Sequence, residues 1–160
     1  MIKILFICHG NICRSPMAEF IFKKMVEDEG LSSRFVIASA ATSTEEIWNG
    51  TGNPVYPPAK AELRKHGISC EGKRAVQIKK SDYDKYDFIL GMEKFNLRGM
   101  MRILGSDPEK KVGLLMDYTD SPRDIADPWY TGEFGSTYRD IVEGCEGFLE
   151  YLKERKLVWN

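Results

Sequence analysis

Ile2-Lys3-Ile4-Leu5-Phe6-Ile7-Cys8-His9-Gly10-Asn11-Ile12-Cys13-Arg14-Ser15-Pro16 is the stretch from which the fold is read. Its first six residues are Ile, Leu and Phe interrupted only by Met-proximal Lys3, the composition of a strand buried on both faces in a parallel sheet. The chain turns at Gly10-Asn11, and Pro16 suits the first turn of a helix running on through Met17 to Val26. Phe22, Met25 and Val26 fall there at helical spacing, with charged residues between them. A loop that ends on a helix start offers free N–H groups and the positive end of a dipole, and both favour an anion.

Cys8 opens that loop. Backbone N–H groups, the helix end and the Arg14 guanidinium all stabilise a thiolate over a thiol, which makes Cys8 a candidate nucleophile at neutral pH. The N–H groups from His9 through Ser15 form a nest for an oxyanion, and Arg14 can bind two oxygens side by side, so phosphate fits the cradle. A lone cysteine after a strand is more often inert core. The combination of Cys8, five intervening residues, Arg14 and then Ser15-Pro16 in a strand-to-helix context makes the catalytic reading the stronger one. Within the loop, the Ser15 hydroxyl can donate to the thiolate, and Asn11 tolerates the left-handed conformation that a tight loop needs.

The rest of the chain fits one enzyme-sized domain over residues 1–160, with 42% hydrophobic residues to build a core. Lys and Arg total 23 against 24 Asp and Glu, so bulk charge suggests neither nucleic acid nor a membrane surface as partner. The short apolar start breaks at the loop, well below a signal or membrane-span length, so a cytoplasmic location is expected. Cys8, Cys13, Cys70 and Cys145 are too few and too irregular for a secreted disulfide scaffold. No second Cys or His pair at ligand spacing follows, so no metal site is expected.

Strands and helices alternate. A second strand is expected over 34–39, a polar loop over 42–53, and a helix over 54–65 with Gly67 as its stop. Apolar runs at 88–90 and 112–116 flank a helical pattern at 94–104, and an amphipathic helix spans about 135–156, with Ile141, Cys145, Phe148 and Leu152 turned inward. Such alternation implies an α/β fold: a three-layer open parallel sheet with helices on both faces, whose ligands bind beyond the carboxyl ends of the strands, where Cys8 lies.

Phosphoryl transfer to a thiolate needs a general acid for the departing oxygen. Asp117, Asp120, Asp124 and Asp127 are all candidates, and spacing alone does not choose among them. Asp127 is favoured because Pro128 stiffens the backbone beside it, and Trp129-Tyr130 offers aromatic surface to hold a phenyl ring and exclude water.

The segment from Cys8 to Pro16 resembles the signature loop of the low-molecular-weight protein tyrosine phosphatases, and the chain has that family's length. Ser39-Ala40-Ala41-Thr42-Ser43, Lys65-His66-Gly67-Ile68, Tyr86-Asp87-Phe88-Ile89-Leu90 with Met92 and Asn96-Leu97, and Asp127-Pro128-Trp129-Tyr130 follow in family order. The resemblance implies four parallel strands in the order 2-1-3-4, which periodicity does not determine. It implies Cys8, Arg14 and Asp127 as the catalytic set, and His9, Gly10, Asn11, Ile12, Cys13 and Ser15 as the phosphate-binding loop. Ser39 and His66 match positions that brace Asn11. A reversible Cys8–Cys13 disulfide under oxidation is a further implication, in keeping with their closeness in a tight loop. No cofactor is called for. The expected partners are a phosphotyrosine protein or a small aryl phosphate, with phosphate as product and inhibitor and the protein a monomer.

Substrate choice is where the chain departs from the family pattern. The loop over 44–53 is longer, and Trp48 is the expected wall opposite Trp129 and Tyr130, with His9 at the rim. Arsenate reductases share the loop, but they need two further cysteines a few residues apart, which Cys70 and Cys145 are not. Protein arginine phosphatases carry a threonine where Ile12 stands, and a bulkier apolar residue favours an aryl ester over a phosphoguanidinium. A non-enzymatic phosphoprotein-binding module is disfavoured by the nucleophile, arginine and acid occurring together.

Overall fold

The computed structural model describes residues 1–158. Strand β1 (Ile2–Cys8) leads through the loop to helix α1 (Arg14–Asp28), and β2 (Phe35–Ala41) follows. A two-stranded hairpin, β3 (Ile47–Trp48) with β4 (Thr51–Gly52), precedes α2 (Pro57–Lys65) and the short α3 (Asp82–Lys85). Then come β5 (Phe88–Gly91), α4 (Lys94–Leu104), β6 (Val112–Leu114), the single-turn α5 (Pro128–Thr131) and the long α6 (Phe134–Glu154). The sheet is parallel, in the order β2-β1-β5-β6. Counting only its own strands, that is 2-1-3-4.

Burial explains the unbroken apolar run of β1, which lies between β2 and β5 with helices on both faces. Ile4, Phe6 and Cys8 point into a core shared with Met17 and Phe22 of α1 and Ile141 and Phe148 of α6. Leu5 and Ile7 point the other way, to Tyr83, Met100 and Leu104. Phe22 holds α1 down: its ring centroid lies 6.0 Å from Phe6, 5.5 Å from Phe35 and 5.6 Å from Phe148. A helix anchored this firmly sets where its N-terminus, and so the loop, sits at the carboxyl edge of the sheet. Gly147 of α6 passes so close to the main chain that an added Cβ would stand 2.2 Å from the Tyr118 carbonyl oxygen.

Some boundaries differ from expectation. The polar 42–53 stretch contains the β3–β4 hairpin, closed by a left-handed Asn49 (φ 48°) and Gly50 (φ 78°). Helix α2 begins at Pro57 rather than Pro54, because the Tyr56 N–H is committed to the Ile12 carbonyl and Pro54 bridges to Arg74. The 112–116 run is a strand only to Leu114, and Leu115–Tyr118 coil into a 3-10 turn against α6.

Candidate active site

The loop is built by its own hydrogen bonds. Cys8, only 3% exposed, has its sulfur 3.3 Å from the Asn11 N–H and 3.4 Å from the Ser15 N–H, with the Ser15 hydroxyl at 3.0 Å. Asn11 adopts φ 59°, the left-handed turn that directs successive N–H groups inward. Its side chain is fixed on both sides. The Oδ1 atom accepts from the Val76 N–H at 3.1 Å, while Nδ2 donates to Ser15 Oγ at 2.8 Å and to Ser39 Oγ at 3.0 Å. Because Ser15 Oγ accepts from Asn11, its own proton is free to point at the sulfur.

Arg14 enters from the first turn of α1 and is 2% exposed. Its Nη1 donates to Glu93 and, at 2.8 Å, to the Ile125 carbonyl, while Nη2 lies 3.5 Å from Asp127 Oδ2. Burial opposes its charge, but the Cys8 sulfur, Glu93 and Asp127 outweigh burial and hold the guanidinium charged above the ordinary arginine range. Glu93 also closes a capping box with Asn96 at the start of α4. One carboxylate therefore ties the arginine to the start of α4.

Cys8, His9, Gly10, Ile12, Cys13, Arg14, Asp127, Trp129 and Tyr130 line one cleft together with Glu45 and Glu46. Of the four candidate aspartates, only Asp127 lines it. Asp117 and Asp120 lie on a separate groove along α6, and Asp124 accepts the Lys94 N–H at the start of α4. Asp127 caps α5 through Oδ1, which accepts the Trp129 N–H at 3.0 Å, and this leaves Oδ2 toward Arg14. Trp129 leans on Tyr56 with ring centroids 4.6 Å apart, and Tyr130 stands 85% exposed at the mouth.

Two placements correct expectation. Trp48 is 75% exposed on the β3–β4 hairpin and does not line the cleft, whose wall there is Glu45 and Glu46. The hairpin turns its tryptophan to solvent, while Glu46 lies against Gly10 and accepts from Asn53. His66 does not brace Asn11: at the C-terminal end of α2 its Nε2 faces Glu62 at 3.1 Å and its ring stacks 3.7 Å over Tyr138. Lys73 and Glu19 occupy the space behind Ser39 instead. Ser39 Oγ donates to Glu19 at 2.6 Å, and Lys73 Nζ donates to the Ser39 carbonyl at 2.9 Å. Glu93, Glu45, Glu46, Glu19 and Lys73 escaped sequence reasoning, because a charge in a helical or loop stretch reads as solvated until its neighbours are known.

All four cysteines are free. Cys13 is buried, and that burial, with the Cys8 sulfur next, pushes its thiol from 9.0 up to about 12. Cys70 lies against Lys60, Arg64 and Glu71 in a different depression, and Cys145 is fully buried in α6. Neither lines the cleft of Cys8. No cluster of three metal-ligating side chains occurs among the described residues, and none of their helices is long and apolar enough to cross a membrane.

Known proteins share this architecture. The family model for low molecular weight phosphotyrosine protein phosphatase matches residues 3–157. The chain belongs to that family. It is 41% identical over 153 residues to the low molecular weight phosphotyrosine protein phosphatase of Gallus gallus, covering 92% of this chain and 94% of the relative. The Bacillus subtilis low molecular weight protein-tyrosine-phosphatase YfkJ is 35% identical over 158 residues, covering 98% and 99%. Its crystal structure superimposes with a TM-score of 0.88 at 36% identity, covering 98% and 97%. The crystal structure of a Drosophila arginine phosphatase also matches, with a TM-score of 0.83 at 31% identity over 95% of this chain and 98% of that one.

Proposed function

We propose that this protein tyrosine phosphatase family member hydrolyses aryl phosphate monoesters, phosphotyrosine in proteins above all, through a phosphocysteine on Cys8. One observation carries the reading: a sulfur faced by three loop donors shares a cleft with a buried arginine and a carboxylate, and Asp127 and Arg14 stand 3.5 Å apart across its mouth. The phosphate's non-bridging oxygens take the loop N–H groups and Arg14 Nη2, since Nη1 is already held by Glu93 and Ile125. With phosphate as its new partner, Arg14 releases Asp127 to carry a proton.

The Cys8 sulfur then forms a bond to phosphorus as the bond to the phenolic oxygen breaks, and Asp127 gives its proton to that oxygen. The carboxylate left behind accepts a proton from water, whose oxygen attacks phosphorus. The S–P bond breaks, returning thiolate and free phosphate. Trp129 and Tyr130 offer the ring a flat wall, and Ile12, at the floor beside Cys13 and Ala75, adds apolar surface that suits a phenyl group.

A phosphoguanidinium substrate is the second reading, and the match to an arginine phosphatase favours testing it. Purified protein is assayed on phosphotyrosine, phosphoarginine and phosphoserine peptides, and on arsenate with thioredoxin, with Cys8→Ser as the control. The proposal expects phosphotyrosine turnover to dominate and to vanish in Cys8→Ser. Faster turnover of phosphoarginine, or phosphotyrosine turnover surviving in Cys8→Ser, overturns it.

A further inference from the structure

The back of the phosphate loop holds a buried charge cluster that the chemistry above does not use. Glu19, on the first turns of α1, is 5% exposed, far less than a helix glutamate normally is. It accepts from Ser39 Oγ at 2.6 Å and from Lys23 Nζ at 2.6 Å, with Lys73 Nζ 3.7 Å away. Lys73 has a side chain only 12% exposed, and it also donates to the Ser39 carbonyl at 2.9 Å. Two ammonium groups around one carboxylate leave the cluster with a surplus positive charge behind the loop.

The hydrogen-bond directions propagate from this cluster to the sulfur. The carboxylate can only accept, so Ser39 must donate to it and must accept from Asn11 Nδ2. The second Nδ2 proton then goes to Ser15 Oγ, and the Ser15 proton is left for Cys8. The segment that carries Lys73 supplies a second, independent hold, since its Val76 N–H fixes the Asn11 Oδ1 end. Burial pulls the Lys73 ammonium below the ordinary lysine range, while Glu19 and the Cys8 sulfur oppose it and Lys23 adds to the pull.

We propose that Lys73 is a positioning residue for the Cys8 nucleophile. Its ammonium pins Glu19 and the Ser39 main chain so that the Glu19–Ser39–Asn11–Ser15 chain ends with a proton directed at the sulfur. The inference rests on Cys8 being the nucleophile, but its test does not depend on turnover.

The test is alkylation of Cys8 by iodoacetamide in the free protein, followed by mass spectrometry of the Cys8 peptide from pH 5 to 9. Lys73→Met, Lys73→Gln and Lys73→Arg are compared with wild type, and far-UV circular dichroism checks each fold. Lys73→Met and Lys73→Gln are expected to alkylate about fivefold more slowly at pH 6, the factor that one net hydrogen bond is worth. The deficit should shrink as the pH rises toward 9, which a mere loss of access to the sulfur would not do. Lys73→Arg should recover most of the loss. Wild-type rates at pH 6 in both neutral variants, or a loss equal at every pH, overturn the proposal. Should phosphotyrosine turnover be absent in wild type while this pH-dependent difference persists, the functional proposal falls and this one stands.

Discussion

Asp127→Asn separates acid catalysis from architecture. Asparagine keeps an oxygen for the Trp129 N–H, so the start of α5 stays capped and the stiff Pro128 and the aromatic wall stay in place. What is lost is the carboxyl group that the proposed mechanism uses as its acid, 3.5 Å from Arg14 and the one candidate aspartate that lines the cleft. A positioned general acid contributes about 10²- to 10⁴-fold to such a step. The expectation is therefore a loss of about 10³-fold in kcat/KM for phenyl phosphate, whose departing phenolate most needs a proton. For a nitrophenyl or dinitrophenyl phosphate the loss should shrink to about tenfold, because those oxygens leave as anions without help. The assay is steady-state kinetics across aryl phosphates of falling leaving-group basicity. A steeper dependence on leaving group in Asp127→Asn than in wild type is the expected signature. Parallel lines, or undiminished activity on phenyl phosphate, would refute the assignment.

Other outcomes test neighbouring links. Glu93→Ala should strip Arg14 of its carboxylate partner and cost about 2–3 kcal/mol, read as lost kcat/KM toward aryl phosphates together with weaker inhibition by phosphate. Unchanged phosphate inhibition would show that Glu93 does not orient the guanidinium. Gly147→Ala should destabilise the fold by about 2 kcal/mol or more, measured by urea unfolding, because the added carbon meets the Tyr118 main chain rather than a side chain that can move. Cys13 keeps its proton in the folded protein to about pH 12 but gives it up near 9 when unfolded, so its contribution to stability is present below 9 and declines as pH rises toward 12. Wild type should accordingly lose more urea resistance than Cys13→Ala between pH 8 and 10.5, and equal losses would contradict that burial effect.

The local parts of the molecule were legible in the sequence because their causes are local. An unbroken Ile/Leu/Phe run, a Gly-Asn turn and a proline at a helix start describe β1, the loop and α1 in adjacent residues, and burial on both faces is what the run records. The order of the strands was not in the periodicity, since an apolar run says that a strand is buried and not which strand lies beside it; it came from resemblance. Boundaries moved where a distant group took up a backbone bond, as when the Ile12 carbonyl held the Tyr56 N–H and delayed α2 to Pro57.

The sequence by itself determined that a thiol and an arginine share one short loop between a buried strand and a helix, because six residues of chain cannot place them far apart. Tertiary structure decided the rest. It brought Asp127, alone of the four aspartates, into the cleft of Cys8, turned Trp48 to solvent, sent His66 to Glu62 and Tyr138, and brought Glu93 to Arg14 from 79 positions away. It also brought Lys73 and Glu19 behind the loop, 54 positions apart in the chain (73 − 19) and 3.7 Å apart in space. The physical reason is common to all of them. A charged or aromatic side chain takes its role from the groups it meets across the sheet, and those meetings are set by which helices cover which face, not by the residues on either side in the chain.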